Sequence, residues 1–262
     1  MHDRLLTLLP GRRTTDDAPA QPDYYKNCYN EIVWTFRPNQ LRSARELAGL
    51  TQQSAAARMG VSQAYLAMME NGRRPVTDRL GPRMADLYRL PATALPLEPG
   101  GLNSWNSASV AKAVANLGYP SFRHLRAGKR RNPAVVLLAG VSCSDLEVRV
   151  VESLPWLVVE YHGLDWKWLI RETKLLDAQN RLGFLVGLGR RVAERSGSAS
   201  AVVSLRQAEE PLERARLARE DTLCQQSLSE AERRWLRKER PADALHWNLL
   251  TDLNAEVLPY AA

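Results

Sequence analysis

The stretch from Leu50 to Gly72 leaves the backbone few choices. Thr51 predicts the start of a helix over 52–59, because its hydroxyl accepts an amide hydrogen left without a partner in the first turn. Gly60 supplies the left-handed residue that ends that helix, and Ser62 caps a second one running to Asn71. Two helices joined by so few residues must cross steeply. Leu50, Ala56, Val61, Leu66 and Met69 fall where such a crossing needs apolar or small side chains. Gln63, Ala64, Ala67, Met68 and Asn71 are left on the opposite face of the second helix, which carries no negative charge.

At these residues the chain resembles the Cro and lambda-repressor type of helix-turn-helix, the xenobiotic-response-element (XRE) family. The similarity covers roughly 36–97. It takes in a first helix over 41–48, the Gly49-Leu50-Thr51-Gln52 run, Gly60-Val61-Ser62, Glu70-Asn71-Gly72-Arg73 and a closing helix over 78–88. The resemblance implies a lambda-repressor-like five-helix domain that binds double-stranded DNA. It also implies roles: Gln63, Ala64 and Met68 face bases, while Gln52, Tyr65, Asn71 and Arg73 touch phosphates. Arg45 and Glu70 match a pair that joins the first helix to the end of the recognition helix. Two residues depart from the family pattern. Ala55 replaces a usual leucine, so another side chain must fill space beneath the first helix of the motif. Met68 replaces a polar residue, so contact there is apolar, for example with a thymine methyl.

A plain helical bundle is the other reading of the motif, and charge bears on the choice. Residues 37–97 hold nine arginines, no lysine and four acids, so most of the chain's formal charge of +7 is concentrated there. Phosphate binding needs such a concentration.

A chain of 262 residues is far longer than one such module requires, and its 45% hydrophobic content supports a second core. The sequence divides into an arm over 1–30, the motif domain over 36–97, a linker over 98–107 and a helical C-terminal domain over 108–262. Arg12 and Arg13 in the arm either touch DNA or are simply solvated. Pro96, Pro99, Gly100 and Gly101 mark the linker. The fold class is all-α. Helices are predicted over 108–117, 121–126, 133–138 and 144–161, the last with a kink at Pro155. A long one follows Asp165, with Trp166, Leu169, Ile170, Thr173, Leu176, Leu182, Leu185 and Val186 in one stripe. Gly183, Gly187 and Gly189 permit close approach or mark a bend, with Gly183 and Gly187 facing one neighbour. A further helix spans 202–220, where 202–205 is the one place a strand fits. Ser229 and Glu232 form a capping box, and Pro241 starts a last helix containing Trp247, Leu249 and Leu250.

Several features admit two readings. Asp177, Gln179, Asn180 and Arg181 are either buried and paired across an interface or turned to water. Trp156, Trp166 and Trp168 are core or the wall of a pocket. Arg123, Arg126, Lys129, Arg130 and Arg131 are a solvated loop or a second phosphate contact.

His2, His124, His162 and His246 show no metal-ligand spacing, and neither a phosphate-cradling loop nor a magnesium-binding carboxylate pair is present, so no cofactor, no metal and no enzymatic activity are expected. Cys28, Cys143 and Cys224 are far apart and odd in number, which suits reduced thiols in the cytoplasm. The apolar start of the chain is too short for a secretion signal, and no run is long enough to cross a membrane. The expected function is a DNA-binding transcriptional regulator acting as a homodimer. The alternative is an antitoxin-like protein that holds a toxin-like partner through its C-terminal domain and controls its own operon.

Overall fold

The computed structural model describes residues 40–98 and 101–258. The expected arm and its Arg12 and Arg13, Cys28, and Pro99 and Gly100 of the linker lie outside the described residues.

Four α-helices and a 3-10 turn build the first part. They are α1 (Gln40–Leu47), α2 (Gln52–Met59), α3 (Gln63–Glu70), α4 (Gly81–Leu87) and the turn Ala92–Ala94. The predicted caps are present. Thr51 Oγ1 accepts from Ser54 N, Ser62 Oγ from Tyr65 N, and Gly60 is left-handed at φ 70°. The closing helix starts at Gly81 rather than at 78. Pro82 explains the difference, since proline suits a first turn and would clash and remove a hydrogen bond inside a longer helix. Leu41, Ala55, Ala56, Met59, Leu66, Met69 and Met84 are buried together with Tyr88. On the packed pair α2 and α4, the methionines Met59 and Met84 supply long, adaptable side chains where Ala55 supplies little volume.

The remainder is a helical assembly around α6 (Pro133–Ser142), whose residues from Pro133 to Val141 are all buried. It is surrounded by α5 (Ser107–Leu117), α7 (Val148–Glu160) and α8 (Trp166–Leu175), with α9 (Gln179–Arg195) against α7 and α10 (Ala199–Arg214). Then come β1 (Asp221–Thr222), α11 (Glu230–Glu239), α12 (Ala242–His246) and β2 (Leu249–Leu250), with β1 and β2 parallel. Asn132 caps α6 and also donates to Thr93 O and Leu95 O (3.1 and 2.6 Å), tying this assembly to the end of the first part.

Four expectations need correction. The predicted long helix after Asp165 is two helices, broken where Asp177 takes φ 53° and Ala178 N reaches back to Thr173 O. Aspartate tolerates the left-handed region better than most residues, so a stop of the usual glycine kind is made without glycine. The helix predicted from 144 starts at Val148, because the backbone of Ser144 and Leu146 bonds instead to Gln226 and Cys224. The helix predicted through 220 ends at Arg214, and 202–205 lie inside it. The last helix ends at His246, after which Asn248 is left-handed and Leu249–Leu250 pair with β1. Two apolar residues carry no period that separates strand from helix.

Gly183 and Gly187 both face Trp247: a Cβ on Gly183 would lie 2.3 Å from the indole and one on Gly187 would lie 4.0 Å from it. A Cβ on Gly189 would lie 2.9 Å from Val158 of α7. Gln179, Asn180 and Arg181 are buried, and their partners are within the chain rather than across an interface or in solvent. Asn180 donates to Leu217 O and Trp247 O and accepts from Leu217 N. Arg181 forms a two-pronged pair with Asp221 and donates to Val141 O and Cys143 O. Trp156 packs on Tyr119 and Tyr161, and Trp166 donates to His162 O and Ser204 Oγ, both tryptophan side chains being half-buried.

Candidate nucleic-acid interface

The turn between α2 and α3 is fixed by the two caps and Gly60, so α3 has a defined orientation before any ligand arrives. Leu66 and Met69 hold its inner face, and Leu66 is fully buried. Gln63 and Ala64 are exposed in its first turn, and Met68 is half-buried one turn later. These three form one side of the helix, with no carboxylate on that side. Asn71 and Arg73 are exposed where the chain leaves α3, after which Gly72 turns at φ 69°. Tyr65 is half-buried beneath the Arg74 guanidinium, 5.7 Å from ring centre to Cζ.

Behind this face lies a hydrogen-bonded chain of four side chains. Arg45 Nε donates to Glu70 Oε1 at 2.7 Å and Arg45 Nη2 to Glu70 Oε2 at 3.3 Å, both groups being buried. Arg45 Nη1 also donates to Leu50 O at 2.8 Å, which anchors the residue before the motif. Gln52 Nε2 donates to Glu70 Oε2 at 3.1 Å, and Gln63 Nε2 donates to Gln52 Oε1 at 3.3 Å. The hydrogen bond with Glu70 raises the Arg45 pKa above its ordinary value, so the guanidinium stays charged at any physiological pH. Tyr88 lies close to the same pair. Burial raises its pKa, and its hydroxyl has no hydrogen-bond partner among the described residues.

The electrostatics around α3 are one-sided. Arg58, Arg73, Arg79, Arg83 and Arg89 are exposed, and none of them is in an ion pair among the described residues. Arg79 and Arg83, with Ser62 and Tyr65, line a groove of about 530 Å³ beside the start of α3. The sequence reading passed over these two arginines, although the acid-poor run 73–83 was the signal for them. Such a groove, with cations and a helix start on its walls, suits an anionic ligand.

Among the described residues no group of three or more histidine, cysteine, aspartate or glutamate side chains is arranged to hold a metal ion, and no helix is long and apolar enough to cross a membrane. No curated protein and no solved structure matches the chain. A family model does match part of it, and the match ends at Leu97, leaving the C-terminal region without a family. Residues 39–97 are a helix-turn-helix domain of the XRE and Cro-like class, which points to a DNA-binding regulator.

Proposed function

We propose that the chain is a sequence-specific regulator that binds operator DNA as a homodimer, with α3 in the major groove. The observation that carries this reading is the Gln63 amide, exposed on an uncharged helix face yet tethered through Gln52 to the buried Arg45 and Glu70 pair. A glutamine restrained in this way is suited to a bidentate bond with adenine N6 and N7, at less loss of side-chain freedom than a free one. Ala64 and Met68 lie along the same wall and suit thymine methyl groups. Gln52, Tyr65, Asn71 and Arg73 flank that face and take phosphate oxygens, assisted by Arg79 and Arg83.

One domain offers few base contacts, so useful specificity requires two half-sites about one helical turn, or roughly 34 Å, apart. The C-terminal region, 108–262, would set that spacing. Regulation then works by occupying the operator or by recruiting the transcription machinery to it.

Selection of bound genomic fragments with the purified full chain tests the proposal. Recovered fragments should share a two-fold symmetric motif, and sedimentation should give a complex with two 29.4 kDa chains per site. Fragments with no shared motif would remove sequence specificity from the reading. A motif without symmetry, bound by one chain, would remove the dimer.

A further inference from the structure

Unpaired positive charge is unevenly distributed over this protein. Beyond residue 170 many arginines are neutralised within the chain, as in Arg171 with Glu172, Arg181 with Asp221, Arg190 with Glu209, Arg191 with Asp243 and Arg237 with Glu220. From Arg58 to Lys167 no lysine or arginine is in an ion pair among the described residues. The helix-turn-helix accounts for only part of this charge. Another part stands on the loop after α5, where Arg123, Arg126, Lys129, Arg130 and Arg131 are all exposed. This loop lies in the longest acid-free stretch of the region, since no aspartate or glutamate occurs between Glu98 and Asp145. Glu160, close enough to act together with Arg130 on the Tyr161 hydroxyl, makes no ion pair with it.

The loop is also held in place. Asn116 clamps it to α5 by donating to Ala127 O and accepting from Ala127 N, at 3.2 and 2.9 Å. Arg126 reaches back to Ala115 O and Gly118 O at the C-terminal end of α5, and Gly128 turns the chain at φ 107°. Arg131 lies 4.9 Å over the Trp105 ring. The next residue, Asn132, is buried and bonded to Thr93 O and Leu95 O, at the close of the helix-turn-helix domain. Arg123, Lys129 and Arg130 are thus left without side-chain partners among the described residues, on a braced loop tied to the helix-turn-helix domain. A solvated loop has no need of such bracing, whereas a backbone already held in place loses less freedom when its side chains meet an anion.

We propose that this loop is a second DNA-binding surface, with Arg123, Lys129 and Arg130 lying against the phosphate backbone of the duplex that flanks the site read by α3. The inference rests on the regulator reading above and extends it from the groove to the flanks. Each phosphate neutralised releases condensed counterions, so the loop contributes affinity without sequence preference and makes binding steeper in salt.

The test uses the full chain and two duplexes, one carrying the selected operator and one of scrambled sequence, titrated over a range of salt concentrations by fluorescence anisotropy. Replacing the three cations together (Arg123→Ala, Lys129→Ala, Arg130→Ala) should lower the slope of log Kobs against log salt by about 2 to 3 on both duplexes, at about 0.9 per lost phosphate contact. The charge-preserving pair Arg123→Lys and Arg130→Lys should keep the wild-type slope, and unchanged thermal melting confirms that the fold is intact. A triple variant with the wild-type slope would overturn the second surface while leaving the regulator reading standing. A loss confined to the operator duplex would also overturn it, because phosphate contacts do not distinguish sequences. A wild-type chain that binds neither duplex would overturn the regulator reading, and the loop's role with it.

Discussion

Arg45 and Glu70, 25 residues apart in sequence, meet in a buried two-pronged ion pair whose second carboxylate oxygen also holds Gln52. Removing one partner therefore does two things. Arg45→Ala or Glu70→Ala leaves a buried charge uncompensated and should destabilise the protein by about 3 to 5 kcal/mol, read from urea unfolding. Glu70→Ala also frees Gln52 and, through it, Gln63. A loss below about 1 kcal/mol would show that water reaches the pair and replaces the missing partner.

Base reading by Gln63 predicts a selective loss. Gln63→Ala should weaken binding to the true operator by about 1 to 3 kcal/mol and leave nonspecific binding nearly unchanged. Equal losses on operator and scrambled duplexes in a gel-shift titration would assign Gln63 to the backbone instead.

The motif was legible in sequence because local chemistry decides it. Thr51, Gly60 and Ser62 each set a backbone angle or a cap within three or four residues, and no distant contact is needed to place α2 and α3. The assembly after residue 106 was legible only in part. Its helices could be counted, but the stop at Asp177 uses a residue that is a common helix start, and β1 and β2 are two residues each. The partners of Asn180 and Arg181 lie 37 or more residues away in sequence, so no spacing rule reaches them. Roles on the helix-turn-helix were assigned one by one from resemblance. The link from Gln63 through Gln52 to Glu70 needed coordinates.

Gly183 offers a test in which two effects oppose each other. Alanine favours a helix over glycine by about 1 kcal/mol, so Gly183→Ala should stabilise α9 if space allowed. A Cβ there would come within 2.3 to 2.6 Å of the Trp247 ring, a rigid and buried group. The clash should win, with a net destabilisation of about 1 to 3 kcal/mol by thermal or urea melting. A stabilised variant would mean that the indole moves aside freely.

Asn180 joins α9 to two segments that no helix covers. Asn180→Ala leaves Leu217 N, Leu217 O and Trp247 O short of partners, although Asn248 also donates to Leu217 O. A buried group left unpaired costs about 1 to 3 kcal/mol, and Trp247 O is buried while the Leu217 groups are part-buried, so the total loss should be about 1 to 3 kcal/mol. Hydrogen exchange should rise at Leu217 before it rises in α6.

The thiols give the fold an alkaline limit. Burial pushes the Cys224 thiol from 9.0 to about 12 and raises that of Cys143 as well. A group whose folded pKa is raised contributes stability that is complete below the unfolded pKa and is lost as pH rises through the folded one. The contribution should therefore be intact below pH 9 and fade from about 9 to 12. Urea midpoints should fall over that range in the wild type and fall less in Cys224→Ala. At pH 8 a thiol reagent should label Cys224 only after unfolding.

Trp247 fills the space left open by Gly183, and β2 follows it after the left-handed Asn248. A chain emerging from the ribosome has all of α1 to α4 in hand long before that indole appears, so the groove on α9 stays vacant until synthesis has passed residue 247. Domains generally fold in the order in which they are made. On the proposed function, the DNA-reading module is then complete while α9 still lacks the indole of the last tryptophan. On the proposed function, a chain cut short before Trp247 would keep its DNA-reading helices with the C-terminal core unsealed, and would compete with the full chain for the same sites.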